Sequence, residues 1–321
     1  MTRFVVRRCS QAVVVVLLVT IIVFGLSRLL PGGPARAILG THATPTNIAA
    51  FNRENGLTGP LPAQYWHWLT GVLTGNFGFS YVLNQPVSSL LAERLPKTAF
   101  LAGVSVVLAV LIAVPVGLYQ AVRRGRADDY AVTTVTFVLY STPAFWVALL
   151  LIDILSVRLH VFPAEAPQGS FAAIFSDPGA MVLPVLTVTL VTIAAFSRYV
   201  RSSVLDELAQ DYVRMARSKG TTRRAILLRH VLRNALSPVV TLLGLSLPFI
   251  LSGTLITEEV FNYPGIGLLA YNAATQQDYP VLLGVVLVVG IATVAGSLLA
   301  DIAYALLDPR VQLANDAGAG R

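Results

Sequence analysis

The sequence is poor in the residue types that carry most enzymatic and metal-binding chemistry. Its 321 residues include one cysteine, Cys9, and four histidines without metal-ligand spacing, so no internal disulfide or multi-cysteine metal site is possible. Only two lysines are present, Lys97 and Lys219, and neither follows a glycine, which excludes a phosphate-binding loop. No Gly-x-Ser-x-Gly nucleophile motif occurs either. We therefore expect no catalytic residue, no metal and no cofactor in this chain.

Charge is also scarce, because 12% of the residues are charged and 55% are hydrophobic, against about 25% charged in soluble domains. This composition favours an all-α integral membrane protein. The net charge of +7 could suggest a nucleic-acid partner. The arginines, however, lie beside apolar runs and are not interleaved with aromatics, so membrane topology explains them and no nucleic acid is expected.

Six apolar runs are long enough to cross a lipid bilayer, and they predict six transmembrane helices. They lie at 12–30, Thr98–Tyr119, Tyr130–Val157, Ala180–Phe196, Ser237–Thr257 and within Tyr279–Leu307. A long extracytoplasmic segment, 31–97, follows the first helix. The remaining five helices form a core over 98–310, with a cytoplasmic loop at 198–236 and a tail at 311–321. The first run is long for a signal peptide and has a poor cleavage site, so we interpret it as retained.

The basic residues are distributed unevenly between the two sides of these spans. Segments 1–11, 120–129, 198–236 and 308–321 hold 17 of the 23 lysines and arginines. Because short cytoplasmic loops carry an excess of basic residues, these four segments are predicted to be cytoplasmic, which places both termini inside.

The loop at 198–236 shows helical patterning that a simple connecting loop does not require, and it contains nine basic residues between Arg198 and Arg233. We predict one helix over Ser202–Ser218, closed by a left-handed turn at Gly220, and a second helix capped by Thr221 or Thr222. The apolar face predicted for the second helix contains Ala225, Leu228, Leu232 and Ala235. Two interpretations remain open: a solvated loop that obeys the positive-inside rule, or a docking element for a cytoplasmic partner.

The run Asp211-Tyr212-Val213-Arg214-Met215-Ala216-Arg217-Ser218-Lys219-Gly220 resembles the cytoplasmic signature loop of ABC importer permeases, in the form of their oligopeptide/dipeptide/nickel branch. Of the general family pattern, Glu-Ala-Ala followed after three residues by Gly, only Ala216 and Gly220 match. Three further stretches are similar to the same branch: residues 55–87 with Gly75-Asn76-Phe77-Gly78, Glu258–Gly267, and Asp301–Arg310.

The resemblance implies the type I ABC importer permease fold and a set of partners. The ten residues Asp211 to Gly220 would form a coupling helix against one of two cytoplasmic ATP-binding subunits, which would hold ATP and Mg. A homologous second permease would complete the translocation path in a prokaryotic plasma (inner) membrane. An extracytoplasmic solute-binding protein would contact the 31–97 segment, with Trp68 and Phe79 as candidate contacts.

Two other classes of function remain open at this point. An ion-coupled secondary transporter usually needs buried carboxylates on its path, and the only two inside the predicted spans, Asp153 and Asp301, lie toward span ends. A membrane anchor without a transport path is the third possibility. Within the ABC interpretation, the sequence does not distinguish a dipeptide, an oligopeptide, nickel or another small solute.

Overall fold

The computed structural model describes residues 2–29, 33–54, 57–80, 82–236, 239 and 254–307, and most of these residues are helical. The helices are α1 Thr2–Arg28, α2 Gly33–Leu39, α3 Pro45–Glu54, α4 Leu61–Leu73, α5 Val87–Val122, α6 Ala127–Ser141, α7 Ala144–Leu151, α8 Ala173–Ser176, α9 Pro178–Leu208, α10 Asp211–Ser218, α11 Arg223–Ala225, α12 Ile266–Thr275 and α13 Tyr279–Leu307. Two π-helical stretches, Ile152–Arg158 and Ile226–Val231, continue α7 and α11, and Gly40–His42 is a 3₁₀ turn. Residues 254–260 are also helical. One antiparallel hairpin pairs β1 Phe79–Ser80 with β2 Gln85–Pro86.

Four of the predicted spans appear as single helices that are long and apolar enough to cross a membrane. They are Val6–Arg28, Val87–Val122, Pro178–Leu208 and Tyr279–Leu298. The all-α membrane fold is therefore confirmed. The predicted fifth span, Ser237–Thr257, falls almost entirely outside the described residues, as does the tail at 311–321, so the count of six stays a prediction.

The predicted third span, Tyr130–Val157, is broken in the structure. Helices α6 and α7, the latter with its π-helical continuation, meet at an angle of 107°, and only the pair together is long enough to cross a membrane. The break falls at Pro143, whose ring excludes the residue before it from helical geometry. Thr142 accordingly has an extended backbone with φ −83° and ψ 130°. Pro143 therefore accounts for the break between the two helices.

Helix α5 begins at Val87 and not at Thr98, so the helix of the second span extends well into the segment predicted to be extracytoplasmic. At 36 residues and 1.5 Å per residue it is about 54 Å long, while the hydrocarbon core of a bilayer is about 30 Å thick. It packs along most of its length on α9. A Cβ on Gly117 would lie 2.6 Å from the Cβ of Val200 in α9, so only glycine fits there.

The segment between α1 and α5 is fastened to α1 by aromatic side chains. The ring of Phe24 lies 5.4 Å from that of Tyr65 and 5.8 Å from that of Trp68, measured between centroids. The Tyr65 hydroxyl is also 2.8 Å from the hydroxyl of Thr20 in α1. Helix α4 is therefore held beside the end of the first span, and the segment is folded rather than an extended loop.

A group of buried polar residues joins α5 to the turn before α12. Glu258 is fully buried, and its carboxylate accepts hydrogen bonds from the Thr98 hydroxyl (2.7 Å) and from the backbone N–H of Gly267 (2.6 Å). The Tyr263 hydroxyl donates to the carbonyl of Lys97. A carboxylate at the start of α12 satisfies N–H groups that have no partner within the helix.

Candidate functional site

The basic loop begins where α9 ends, and the chain turns sharply there. The sequence predicted one helix over Ser202–Ser218, and this was wrong: α9 ends at Leu208 and α10 begins at Asp211. The break occurs at Gln210, which has an extended backbone with φ −70° and ψ 149°. The separation turns Asp211–Ser218 into an independent short helix that can lie across the end of the bundle.

The turn that closes α10 has the geometry that the sequence predicted. Gly220 has φ +73°, in the left-handed region that favours glycine. The N–H of Thr221 donates to the carbonyl of Ala216, and the N–H of Gly220 donates to that of Arg217. This pair of bonds is the Schellman motif, which ends a helix and reverses the chain.

One face of α10 is anchored in the chain's own core. Val213 is fully buried in a cluster with Val204, Ile226 and Val231, and Tyr212 and Ala216 pack against the same cluster. The Tyr212 hydroxyl donates to the carboxylate of Glu207 at the end of α9. Burial, and then this hydrogen bond, raise the pKa of Tyr212, so the phenol stays protonated and keeps its donor role.

The opposite face of α10 is exposed and carries the mixed chemistry of a contact surface. Arg214 and Asp211 lie 3.4 Å apart as an ion pair, with side chains 77% and 93% exposed. Met215, the one large apolar side chain on this face, is 55% exposed. Of the ten predicted coupling residues, the structure therefore separates an inner set (Tyr212, Val213, Ala216) from an exposed set (Asp211, Arg214, Met215, Arg217, Ser218, Lys219, Gly220).

The second helix of the loop begins as predicted but buries a different face. Thr222 is the cap, because its hydroxyl accepts from the N–H of Ala225. The predicted apolar face was wrong in part: Leu228 is half exposed, while Ile226, Val231 and Ala235 are buried. The cause is the π-helical turn over Ile226–Val231, whose longer turn rotates the following residues around the helix axis.

The loop also touches the end of α5. The Arg223 guanidinium donates to the carbonyl of Val122, the last residue of α5, over 3.4 Å. A cleft of about 90 Å³ lies at this junction, lined by residues that include Val122, Leu208, Arg217 and Arg223. Helices α5, α9 and α10 therefore meet at one end of the molecule, together with the π-helical turn.

Trp68 and Phe79, the two residues predicted to contact a solute-binding protein, have different surroundings. Trp68 is partly buried because it packs on Phe24 and Tyr65, so much of its ring is used within the chain. Phe79 lies in the hairpin and is 36% exposed. Trp66 and Leu73 on α4 are more exposed than either, and the sequence analysis did not single them out. The helical period gives no signal for them, because Trp66, Leu69 and Leu73 recur at i, i+3 and i+7 on one side of α4 although Leu69 is buried.

The long apolar helices define a polytopic helical membrane protein. Residues 113–313 match the family of binding-protein-dependent transport system inner membrane components, and residues 1–102 match the N-terminal family of the same membrane components. The chain belongs to this family. It is not an enzyme family, and membership favours the permease over an ion-coupled carrier.

Characterised relatives align over nearly the whole chain. The oligopeptide transport system permease protein AppB of Bacillus subtilis is 36% identical over 97% of this chain and 100% of its own length. The glutathione transport system permease protein GsiC of Salmonella choleraesuis is 37% identical over 97% of this chain and 99% of its own. A chain of the MetNI methionine ABC transporter, in an inward-facing form, superposes with a TM-score of 0.54 at 18% identity, covering 68% of this chain and 96% of its own. This last similarity concerns the fold alone.

Proposed function

We propose that this chain is one permease of an ATP-driven importer for small peptides, and that it forms half of the translocation path with a homologous second permease. The family describes transport that depends on a binding protein, and the relatives are named for oligopeptide and for glutathione transport. A small peptide is the solute class common to both names. Nickel or another small solute is the second candidate, because the same branch that the signature loop resembles also contains nickel systems.

The observation that carries the proposal is the two-sided helix α10. Its inner face, with Val213 fully buried, ties it to the core at the ends of α5 and α9. Its outer face presents Arg214 and Met215 to solvent. A helix attached in this way passes a push on its outer face directly to the spans, which is what docking to an ATP-binding subunit requires. We assign Asp211, Arg214, Met215, Arg217, Ser218 and Lys219 to that contact, with Gly220 as its closing turn.

The other assignments follow from this one. The side of α10 is cytoplasmic, both termini lie on that side, and the membrane is the prokaryotic plasma (inner) membrane. ATP and Mg are held by two ATP-binding subunits and not by this chain. The folded segment between α1 and α5 faces outward and receives a solute-binding protein, through Phe79 and the exposed part of Trp68 together with Trp66 and Leu73.

The test is uptake by the complete assembly reconstituted in proteoliposomes, with ATP inside and the binding protein outside. We compare Arg214→Glu with Arg124→Glu, because both arginines are exposed and both substitutions reverse one charge. Arg214 lies on α10, and Arg124 lies in the turn between α5 and α6. We expect Arg214→Glu to reduce ATP-driven uptake at least about fivefold while assembly is retained, since a reversed charge repels an acidic partner.

Arg124→Glu is expected to transport like the unmodified protein. If both variants transport as well as the unmodified protein, the coupling role of α10 is contradicted. The basic loop would then only determine the orientation of the chain in the membrane. Uptake that continues without ATP but stops when the ion gradient is removed would contradict the proposal of an ATP-driven importer.

A further inference from the structure

A cavity of about 250 Å³ lies between α5, α6 and α9, at the same end of the molecule as α10. Its buried lining includes Gln120 and Thr136, with 1% and 5% exposure, and Arg201 is partly buried beside them. Arg198, Ser202 and Phe137 are exposed and border the opening. A polar floor below an exposed, partly apolar rim is the arrangement of a binding site rather than of a packing defect.

The polar groups at the floor are only partly satisfied. The amide nitrogen of Gln120 donates to the hydroxyl of Thr133 (3.2 Å) and lies 3.5 Å from that of Thr136. Both hydroxyls act as donors elsewhere, Thr133 to Asp129 and Thr136 to backbone carbonyls, which fixes the amide orientation. Gln120 Oε1 and Arg201 Nε are then buried without a hydrogen-bond partner among the described residues. Such groups are costly unless something else binds them.

The charges of the cavity do not cancel. Arg201 is paired with Asp129, 2.9 Å away, and Asp129 also accepts from the N–H of Gly125, so its carboxylate is fully engaged. Arg198 stacks over the ring of Tyr140 at 4.6 Å and has no ion-pair partner in the described part of the chain. One positive charge at the rim is therefore unmatched, and the hydroxyl of the exposed Ser202 can donate to an anion.

The rim also identifies where such an anion would come from. Along α6, Tyr130, Phe137 and Val138 are all more than half exposed and share one face, as a helix against lipid requires. Gln120 is two residues from the end of α5, so the cavity lies near the level where the spans leave the membrane. Basic pockets between transmembrane helices at the cytoplasmic surface suit phosphate headgroups.

From these observations we propose that the cavity lined by Gln120, Arg198, Arg201 and Ser202 is a binding site for a phosphate group, supplied by an anionic phospholipid of the cytoplasmic leaflet. Arg198 supplies the unmatched charge, and the Ser202 hydroxyl supplies a hydrogen bond. Phe137 and Tyr140 border the acyl chains. The site is separate from the proposed docking face of α10, and its lipid source rests on the proposed orientation.

The experiment uses the full chain, purified in the assembly that it forms in its own membrane and placed in phosphatidylcholine nanodiscs. Binding of fluorescent phosphatidylglycerol is measured for the unmodified protein, for Arg198→Gln and for the matched control Arg124→Gln. We expect about a fivefold loss of affinity for Arg198→Gln, as for one basic group at an anionic lipid surface. Arg124→Gln should bind like the unmodified protein.

Two further arms separate the sources and guard against misfolding. Ser202→Asp puts a negative charge at the exposed rim, and it should weaken binding while Ser203→Asp, one residue outside the lining, does not. Inorganic phosphate should fail to compete with the lipid. Competition by inorganic phosphate that depends on Arg198 would support the phosphate site but assign it a soluble ligand. Binding that is unaffected by both Arg198→Gln and Ser202→Asp would overturn the proposal.

Discussion

Thr98 and Glu258 are 160 residues apart in the chain, and their side chains share a hydrogen bond of 2.7 Å in a fully buried setting. The same Thr98 hydroxyl accepts from the N–H of Ile266, while the carboxylate accepts from the N–H groups of Gly267 and Leu268. The Thr98 hydroxyl therefore donates to the carboxylate and also accepts from the first N–H of α12, the helix that the carboxylate caps. This pairing fixes α12 against α5 on the side of the molecule away from α10.

The first prediction tests this pairing with Thr98→Val, which keeps the shape and removes the hydroxyl. Because the change leaves a buried carboxylate oxygen and a buried N–H without their partner, we expect the free energy of unfolding to fall by roughly 2–3 kcal/mol. The measurement is thermal unfolding of the purified protein in detergent. Thr275→Val is the control, since that hydroxyl is exposed and bonds only within its own helix. An unchanged midpoint for Thr98→Val would show that the pairing contributes nothing.

The second prediction concerns the contact of α5 with α9. Gly117→Ala places a Cβ 2.6 Å from the Val200 Cβ and 2.7 Å from the Ser197 carbonyl oxygen, so the helices must separate. We expect a loss of about 1–3 kcal/mol in unfolding free energy. Gly103→Ala, in the same helix but with nothing within 4 Å, should be neutral or stabilising by up to about 1 kcal/mol. Equal stability of the two variants would contradict the close packing at Gly117.

The third prediction concerns the turn after α10. Gly220 has φ +73° and open space around it, so the cost of a side chain there is conformational and not steric crowding. Gly220→Val should destabilise the turn by about 1–2 kcal/mol and reduce ATP-driven uptake, while Gly220→Asn should be tolerated, because asparagine adopts this conformation more readily. Hydrogen exchange of residues 211–221 reports the turn itself. Identical exchange in both variants would argue against a conformational requirement.

The fourth prediction concerns topology and uses single cysteines after Cys9 is replaced by serine. The two variants are Leu73→Cys and Ser218→Cys. Leu73 is the exposed last residue of α4, and Ser218 lies on α10, which the charge bias predicts to be inside. An impermeant thiol reagent added to intact cells should label the first variant and not the second, and inverted vesicles should reverse the result. If both single-cysteine variants are labelled from the same side, the proposed orientation is contradicted.

Local sequence signals predicted local structure well. The apolar runs located the four single-helix spans, Gly220 located the left-handed turn, and Thr222 was one of two named caps, because each of these depends on neighbouring residues only. The first helix of the basic loop, predicted over Ser202–Ser218, was placed correctly at its C-terminal end and wrongly at its start. Asp211–Ser218 continues the helical pattern of α9, and no glycine or proline marks the break at Gln210.

Features that depend on distant partners could not be predicted in the same way. Proline at 143 signals a break, but the angle of 107° depends on where α7 packs against α9. Glu258 could be recognised as part of a motif, whereas its partner Thr98 looks like the first residue of an ordinary span. The cavity at Gln120 is lined by residues of three helices. Taken singly, their polar residues look like ordinary residues near helix ends, so the sequence does not show that they meet. The π-helical turn at Ile226–Val231 leaves no sequence signal and changes which residues are buried.

The length of α5 lets it connect two distant parts of the molecule. Near one end, Ala121 shares a buried cluster with Val213 of α10, and at the other end Val87 packs against Gly284 of α13. The helix is about 54 Å long, contacts other elements at both ends and packs along α9 in between, with Pro96 and Pro115 as the positions where it can bend. A tilt of about 5° around its midpoint would move its two ends by roughly 2 Å in opposite directions. As long as α5 does not bend at these two prolines, a push on the α10 side would reach the far side as a displacement of opposite sign.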